Sequence, residues 1–284
     1  MSRNVILTLS CPDRVGIVAA VSGFLAEHGG WITEANDHAD PGTGWFFMRQ
    51  AVLANSLDFP LSEFARHFQP IAHQFHITWA LSDNRHKKRA VILVSRQDHC
   101  LSDLLHRWRT GELDCEIVSV VSNHEDLRSF VEWHGVPFHH VPVEPGDGEE
   151  PYEKIGKICD GVRGDVIVLA RYMRILPPSL CDRYPGRIIN IHHSFLPAFA
   201  GAKPYLQAYE RGVKLIGATC HYVTAERDDG PIIDQDVIRV DHGDQPEEMA
   251  RLGRDVEKMV LARGLRYHIE DRILIHGRKT VVFA

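Results

Sequence analysis

Along the first 80 residues the apolar positions switch between two periods. Val5-Ile6-Leu7-Thr8-Leu9 is a short β-rich run closed by Cys11-Pro12-Asp13. From Arg14, the residues Val15, Val18, Val21 and Leu25 recur at helical spacing until His28-Gly29-Gly30 stops the helix. Trp31 to Asn36 and Trp45 to Leu53 read as strands joined by the turn-rich Asp40-Pro41-Gly42-Thr43-Gly44. Leu61 to Phe68 makes a second helix and Phe75 to Leu81 a last strand. The predicted order is β-α-β-β-α-β, an α+β unit of the split β-α-β kind over residues 1–83.

Polar residues without period, Asn84 to Arg89, form the predicted linker, and a new regime begins behind it. Ala90 to Ser95 is a continuous apolar run, the mark of a strand buried on both faces. A helix at 99–109, a strand at 115–121, a helix at 125–134 and a strand near 138–142 follow. The loop at 144–151 leads to a helix at 152–162 and to Asp165–Ala170, a second fully buried strand. Regular β-α-β alternation with Val/Ile-rich strands predicts an α/β domain over 90–284, a mostly parallel doubly wound sheet covered by helices. Ligands of such sheets gather at the carboxyl ends of the strands.

Composition narrows the function classes. With 44% hydrophobic and 25% charged residues the chain is that of an ordinary globular protein. Its net charge of −6, from 32 basic and 38 acidic side chains, argues against a nucleic-acid binder, which needs a basic surface. The six cysteines have no C-x-x-C and no regular framework, so they read as reduced thiols. The first apolar run is five residues long and no segment approaches a membrane span. The expectation is a soluble cytoplasmic protein with no membrane or nucleic-acid partner.

Two segments carry candidate chemistry. In Arg187-Ile188-Ile189-Asn190-Ile191-His192, Asn190 and His192 stand two apart, so in an extended chain they project to one side. An amide donor beside an imidazole suits acyl transfer: one hydrogen-bonds a developing oxyanion and the other moves a proton. In Ile216 to Gln235, Thr219 and His221 alternate along a strand, and Asp228-Asp229-Gly230-Pro231 precedes another. A carboxylate there could orient a histidine. Each segment alone has a bland alternative, since Asn and His often serve as structural hydrogen-bonders and D-D-G-P is a good turn sequence. No H-x-x-x-H spacing offers a metal shell.

Taken together, N-I-H-x-S-x-L-P-A-F-x-G (190–201) and, 36 positions after His192, D-D-G-P-I-I resemble the formyltransferase family that uses 10-formyltetrahydrofolate. Arg171-Tyr172-Met173-Arg174-Ile175-Leu176 resembles that family's folate-pocket loop. The resemblance covers 90 to about 280. It implies Asn190, His192 and Asp228, rather than Asp229, as the catalytic trio. By the same alignment Met173, Arg174, Ile175 and Leu176 hold the folate, partly through main-chain contacts. His193 and Ser194 also border the substrate, and Thr219 and His221 stand behind the trio. The folate is substrate, so neither cofactor nor metal is implied.

Departures from the family pattern point to one branch. Its transferases of glycinamide ribonucleotide hold the acceptor phosphate on a glycine-bearing turn after the first strand, where backbone N–H groups can converge. Here that turn is Arg96-Gln97-Asp98-His99-Cys100, without glycine and with an added carboxylate. The family's His-Pro-Ser is His192-His193-Ser194, an extra imidazole beside the reacting centre. Both departures, with Asn123-His124 and Gly253 to Lys258 (GRDVEK), are similar to the formyltetrahydrofolate-hydrolysing branch. The implied reaction is hydrolysis of 10-formyltetrahydrofolate to formate and tetrahydrofolate, supplying formate for purine synthesis and balancing one-carbon folate pools. The alternatives are formyl transfer to an amine and a non-catalytic amino-acid sensor. Ser10 to Val18 (SCPDRVGIV) is similar to the first turn of ACT domains, which are ferredoxin-like. That likeness implies a regulatory unit with Asp13 and Gly16 at an amino-acid effector site, and a homo-oligomer, dimer or tetramer.

Overall fold

The computed structural model describes residues 3–144, 146–197 and 204–284. The Ala198 to Gly201 end of the long motif therefore lies outside the described residues, as does Pro145 of the 144–151 loop. The chain divides into two compact units, one holding residues up to Lys87 with Glu270–His276 and Thr280–Ala284, the other Lys88–Ile269 with Gly277–Lys279.

In the first unit, β1 (Asn4–Pro12), α1 (Ile17–Glu27), β2 (Ile32–Asp40), β3 (Trp45–Leu53), α2 (Phe64–Phe75) and β4 (Thr78–Asp83) follow in the expected β-α-β-β-α-β order. The strands lie β2-β3-β1-β4 and every pairing is antiparallel. One sheet face, with Val5, Leu7 and Leu9 of β1 and Phe46, Met48 and Val52 of β3, packs on Val21, Phe24 and Leu25 of α1 and Phe64, Phe68 and Phe75 of α2. The second helix outruns its prediction because Ala72 and Phe75 continue the apolar stripe begun by Phe64 and Phe68. Phe75 thereby belongs to the helix, and the last strand starts three residues later.

The strand β3 is buried along both faces, which demands a second cover. Arg49 donates through Nε to Asp271 O and through Nη2 to Glu270 O, both at 3.0 Å, and His276 sets its ring 4.7 Å from Trp45 and 5.5 Å from Phe47. The sequence reading assigned 90–284 to one domain. The short β12 (Ile273–His276) and β13 (Lys279–Val282) correct that boundary, since the residues outside the 277–279 turn group with the first unit.

The second unit contains β5 (Arg89–Val94), α3 (His99–Arg109), β6 (Glu116–Ser122), α4 (Arg128–Trp133), β7 (Phe138–His140), α5 (Glu150–Gly161), β8 (Val166–Leu169), α6 (Pro178–Arg183), β9 (Ile188–His192), α7 (Pro204–Arg211), β10 (Leu215–Tyr222), β11 (Ile232–Arg239) and α8 (Pro246–Ile269). Its sheet runs β11-β10-β9-β8-β5-β6-β7. The five strands from β9 to β7 are parallel, and β10 is antiparallel to both β9 and β11. Ala90 to Val94 are fully buried, as their unbroken apolar run predicts. The chain builds outward from β5 to β7, then crosses to β8 on the other side. Strand order therefore reverses between β5 and β8, and a crevice opens at their carboxyl ends.

Candidate active site

Three segments meet beside that crevice. The strand β9 brings in Asn190 and His192, two residues apart and on one face. The loop after β8 carries Arg171 to Leu176, and the loop from β10 to β11 carries Asp228. All of these line one cavity of about 340 Å³, with Leu169, His193, His221 and Val223 to Arg227 completing its wall.

His192 is buried, and its Nδ1 lies 3.3 Å from Asp228 Oδ1. That contact lowers the carboxyl of Asp228 below its ordinary value against the opposing effect of burial. Arg227 contributes a second ion pair, Nε to Asp228 Oδ2 at 3.3 Å. His192 Nε2 is buried with no protein hydrogen-bond partner, a state costing about 1–3 kcal/mol. A substrate atom in the cavity can meet that nitrogen.

Asn190 is oriented from behind. His221 Nδ1 donates to the Tyr222 carbonyl at 2.8 Å, which leaves Nε2 to accept from Asn190 Nδ2 at 3.1 Å. Burial, the leading cause, holds the His221 imidazolium unfavourable and keeps the ring a hydrogen-bond acceptor. With one amide proton so engaged, the other N–H and the carbonyl oxygen of Asn190 remain for a ligand.

Asp228 reaches the site because its loop is pinched and left-handed. Its own φ is 54°, and a Cβ at Gly230 would stand 1.7 Å from the Tyr222 carbonyl oxygen, so only glycine lets the two chains touch there. The neighbouring Asp229 pairs instead with Arg278 and does not line this cavity. The turn sequence is thus both a good turn and a carboxylate mount.

Met173 and Ile175 are exposed at the cavity mouth, at 52% and 65%, whereas Leu176 is buried below them. Arg174 is tied through Nε to Val143 O at 3.1 Å. Ser194 and Thr219 do not line the cavity. The Thr219 hydroxyl donates to Ser194 O at 2.9 Å and accepts from Leu196 N at 3.0 Å, fixing the bend that follows β9.

The sequence reading missed several supporting groups. Ser95, just after β5, accepts from Met173 N at 2.9 Å and donates to Asn123 Oδ1 at 2.7 Å, anchoring the 171–176 loop. Glu257 of α8 is 1% exposed, bonded to His99 Nε2 at 2.8 Å and to the Tyr205 hydroxyl at 2.7 Å, and 3.4 Å from Arg171 Nε. Burial pushes its carboxyl up, but His99, Arg171 and Tyr205 outweigh that and hold it below its ordinary value. Among the described residues, His99, Cys100 and Glu257 are one trio with metal-ligating atoms close together. Its carboxylate is already committed to His99, Tyr205 and Arg171, and burial pushes the Cys100 thiol up, away from the thiolate a metal needs. Among the described residues no helix is long and apolar enough to cross a membrane.

Comparison with known proteins matches residues 88–265 to the formyl transferase family. A formyltetrahydrofolate deformylase of Bacillus subtilis (strain 168) is 49% identical over 278 residues, 98% of this chain and 93% of that one. The crystal structure of a formyltetrahydrofolate deformylase from Pseudomonas syringae pv. tomato superimposes with a TM-score of 0.98 at 60% identity, covering 100% of this chain and 95% of that one. The glycinamide ribonucleotide transformylase 1 of Symbiobacterium toebii is similar over a shorter stretch, with TM-score 0.64 and 31% identity across 70% of this chain and 95% of its own. The long relatives match both units and the transformylase matches less of the chain, as the two-unit architecture requires. The chain belongs to the formyltetrahydrofolate deformylase family, hydrolases with a formyl transferase domain.

Proposed function

We propose that the cavity binds 10-formyltetrahydrofolate and that Asn190, His192 and Asp228 hydrolyse its formyl group. The observation that carries this reading is the convergence of the three side chains on the wall shared with Met173 to Leu176. Water oxygen bonds to the formyl carbon, and the carbonyl oxygen gathers negative charge. The free Asn190 N–H and the unpartnered Nε2 face of His192, when protonated, stabilise it; such preorganised donors contribute about 3 kcal/mol each. The His192–Asp228 pair accepts one proton of the water. The C–N10 bond then breaks with its electron pair on nitrogen, which takes that proton back. Tetrahydrofolate and formic acid leave, and the acid ionises to formate in solvent. Formate released in this way would feed purine synthesis.

The reading takes the first unit as an ACT-type module that binds an amino acid near Asp13 and Gly16 and joins copies into a dimer or tetramer. Gly16 has φ of 100° at the start of α1, while Val15 beside it is fully exposed and Val18 is 44% exposed. An open left-handed turn flanked by bare apolar side chains supports a surface for a ligand or a second copy. Cytoplasmic location accords with the scattered, unpaired cysteines.

Formyl-labelled 10-formyltetrahydrofolate, incubated with the protein and glycinamide ribonucleotide, tests hydrolysis against transfer. All label should appear in formate, at a rate the nucleotide does not change. Label on the amine would overturn the reading.

A further inference from the structure

Water asks more of a site than an amine does. An amine attacks through its lone pair while still carrying its protons, and sheds one afterwards. A water molecule is best held with a lone pair on the carbonyl carbon when both of its protons are directed to acceptors. Asp228 supplies one acceptor. Around the rest of the wall, Arg171, Arg174 and Arg227 only donate, both ring nitrogens of His221 are engaged, and the free Asn190 N–H serves the oxyanion, while Tyr172, Thr224, Glu226 and His193 can accept.

Of these, His193 stands next to His192 in the chain. It follows the last residue of β9, lines the cavity, and its ring centroid lies 5.2 Å from that of His192. The Tyr205 ring lies 6.2 Å from that of His193. Resting on the hydrolytic reading above, we propose that His193 is a further catalytic residue: its ring accepts one hydrogen bond of the attacking water while Asp228 takes the other. The Asp228-bound proton is the one transferred. The His193-bound proton stays on the new hydroxyl and leaves with formic acid, which ionises in solvent.

The surroundings keep the ring fit for this task. Burial, and then the Arg171 guanidinium, push the His193 imidazole down to about 4, so its lone pair is free at neutral pH; His192 acts in the same direction, while Glu257 and Asp228 oppose. Arg171 is itself held, donating through Nε to Gln97 Oε1 at 2.9 Å and lying 3.4 Å from buried Glu257. The turn that bears no glycine, Arg96 to Cys100, supplies Gln97 to hold Arg171 and His99 to hold Glu257.

The test is a competition between nucleophiles on the full-length protein. His193→Ala should lower kcat for formate release by about 10²-fold, with KM for the folate changed less than about threefold. With hydroxylamine present, the ratio of formyl hydroxamate to formate should rise at least about tenfold over wild type, because only water has lost an acceptor. His193→Gln, which keeps an accepting oxygen, should move the ratio back toward wild type. If the alanine variant does not fold, His193→Leu against His193→Gln gives the same comparison. A product ratio equal to wild type, or kcat within twofold of it, overturns the proposal, since a merely structural role slows both nucleophiles alike. Wild-type protein releasing no formate without an amine would instead sink the hydrolytic reading itself.

Discussion

Asp228 and Asp229 are adjacent carboxylates with opposite fates, one paired with His192 in the cavity and the other paired with Arg278 outside it. Asp228→Asn should therefore lower kcat by about 10²-fold or more, the scale of lost acid–base help, while folate binding survives. Asp229→Asn should leave kcat within about threefold of wild type. Steady-state kinetics on the two variants would refute the assignment if their order were reversed. His192→Ala should match Asp228→Asn, and the double variant should be no worse than either, since the pair acts as one device. The meeting of Asn190, His192 and Asp228 at one cavity was legible in the sequence because strand alternation puts Asn190 and His192 on one side and because the resemblance selects Asp228 of the two aspartates. Local spacing could not reveal Ser95, whose hydroxyl meets the Met173 amide 78 positions away, or Glu257, 158 positions from His99. Contacts of that span arise only from the order in which parallel strands are laid down.

At the scale of elements, the loop between β10 and β11 and the helix α8 each make a demand that a single atom can test. Gly230→Ala must move the Tyr222 carbonyl or the loop, because the added Cβ would lie 1.7 Å from that oxygen. Overpacking of this kind costs about 1–3 kcal/mol, and here it also displaces Asp228. The variant should lose stability and at least about tenfold in kcat, whereas Gly161→Ala, with nothing within 4 Å, should change neither. Thermal melts and kinetics on the pair would decide, and an active, stable Gly230→Ala protein would refute the pinch. In α8, Glu257→Gln leaves Arg171 less compensated in a buried site and should cost about 3 kcal/mol at pH 7. The native carboxyl titrates below its unfolded value, so its stabilisation is complete above the unfolded value of about 4.3 and is lost as pH falls through the native one. The difference in unfolding free energy between wild type and Glu257→Gln should thus be flat from neutrality to about pH 5 and shrink below about pH 4. A difference that shrank on raising the pH instead would mean the carboxyl is not the charged member of the network.

For the whole molecule, the hydrophobic pattern conveyed two units and their sheet types, but not which unit the chain end serves. The residues at 270–276 show no period that distinguishes them from an edge strand of the catalytic unit. Their place is set by β3, whose second face is buried and whose Arg49 requires carbonyl acceptors that Glu270 and Asp271 supply. Arg272 strengthens the attachment through Glu34 at 3.0 Å. A fragment beginning at Lys88 and running to Ala284 would leave Trp45, Phe47 and Arg49 behind and strip Arg272 of Glu34, so its last segment would have no sheet to cover. A fragment of 88–269 would carry no such orphan. In hydrogen exchange, amides of 270–276 should be protected in the full chain and exchange freely in the 88–284 fragment, while β5 and β8 stay protected in both fragments. If the first unit also joins copies, both fragments should sediment as monomers where the full chain is a dimer or tetramer. Persistence of the full-chain oligomer in the 88–269 fragment would place the assembly surface on the catalytic unit instead. Retention of formate release there would show that the chemistry needs no part of the first unit.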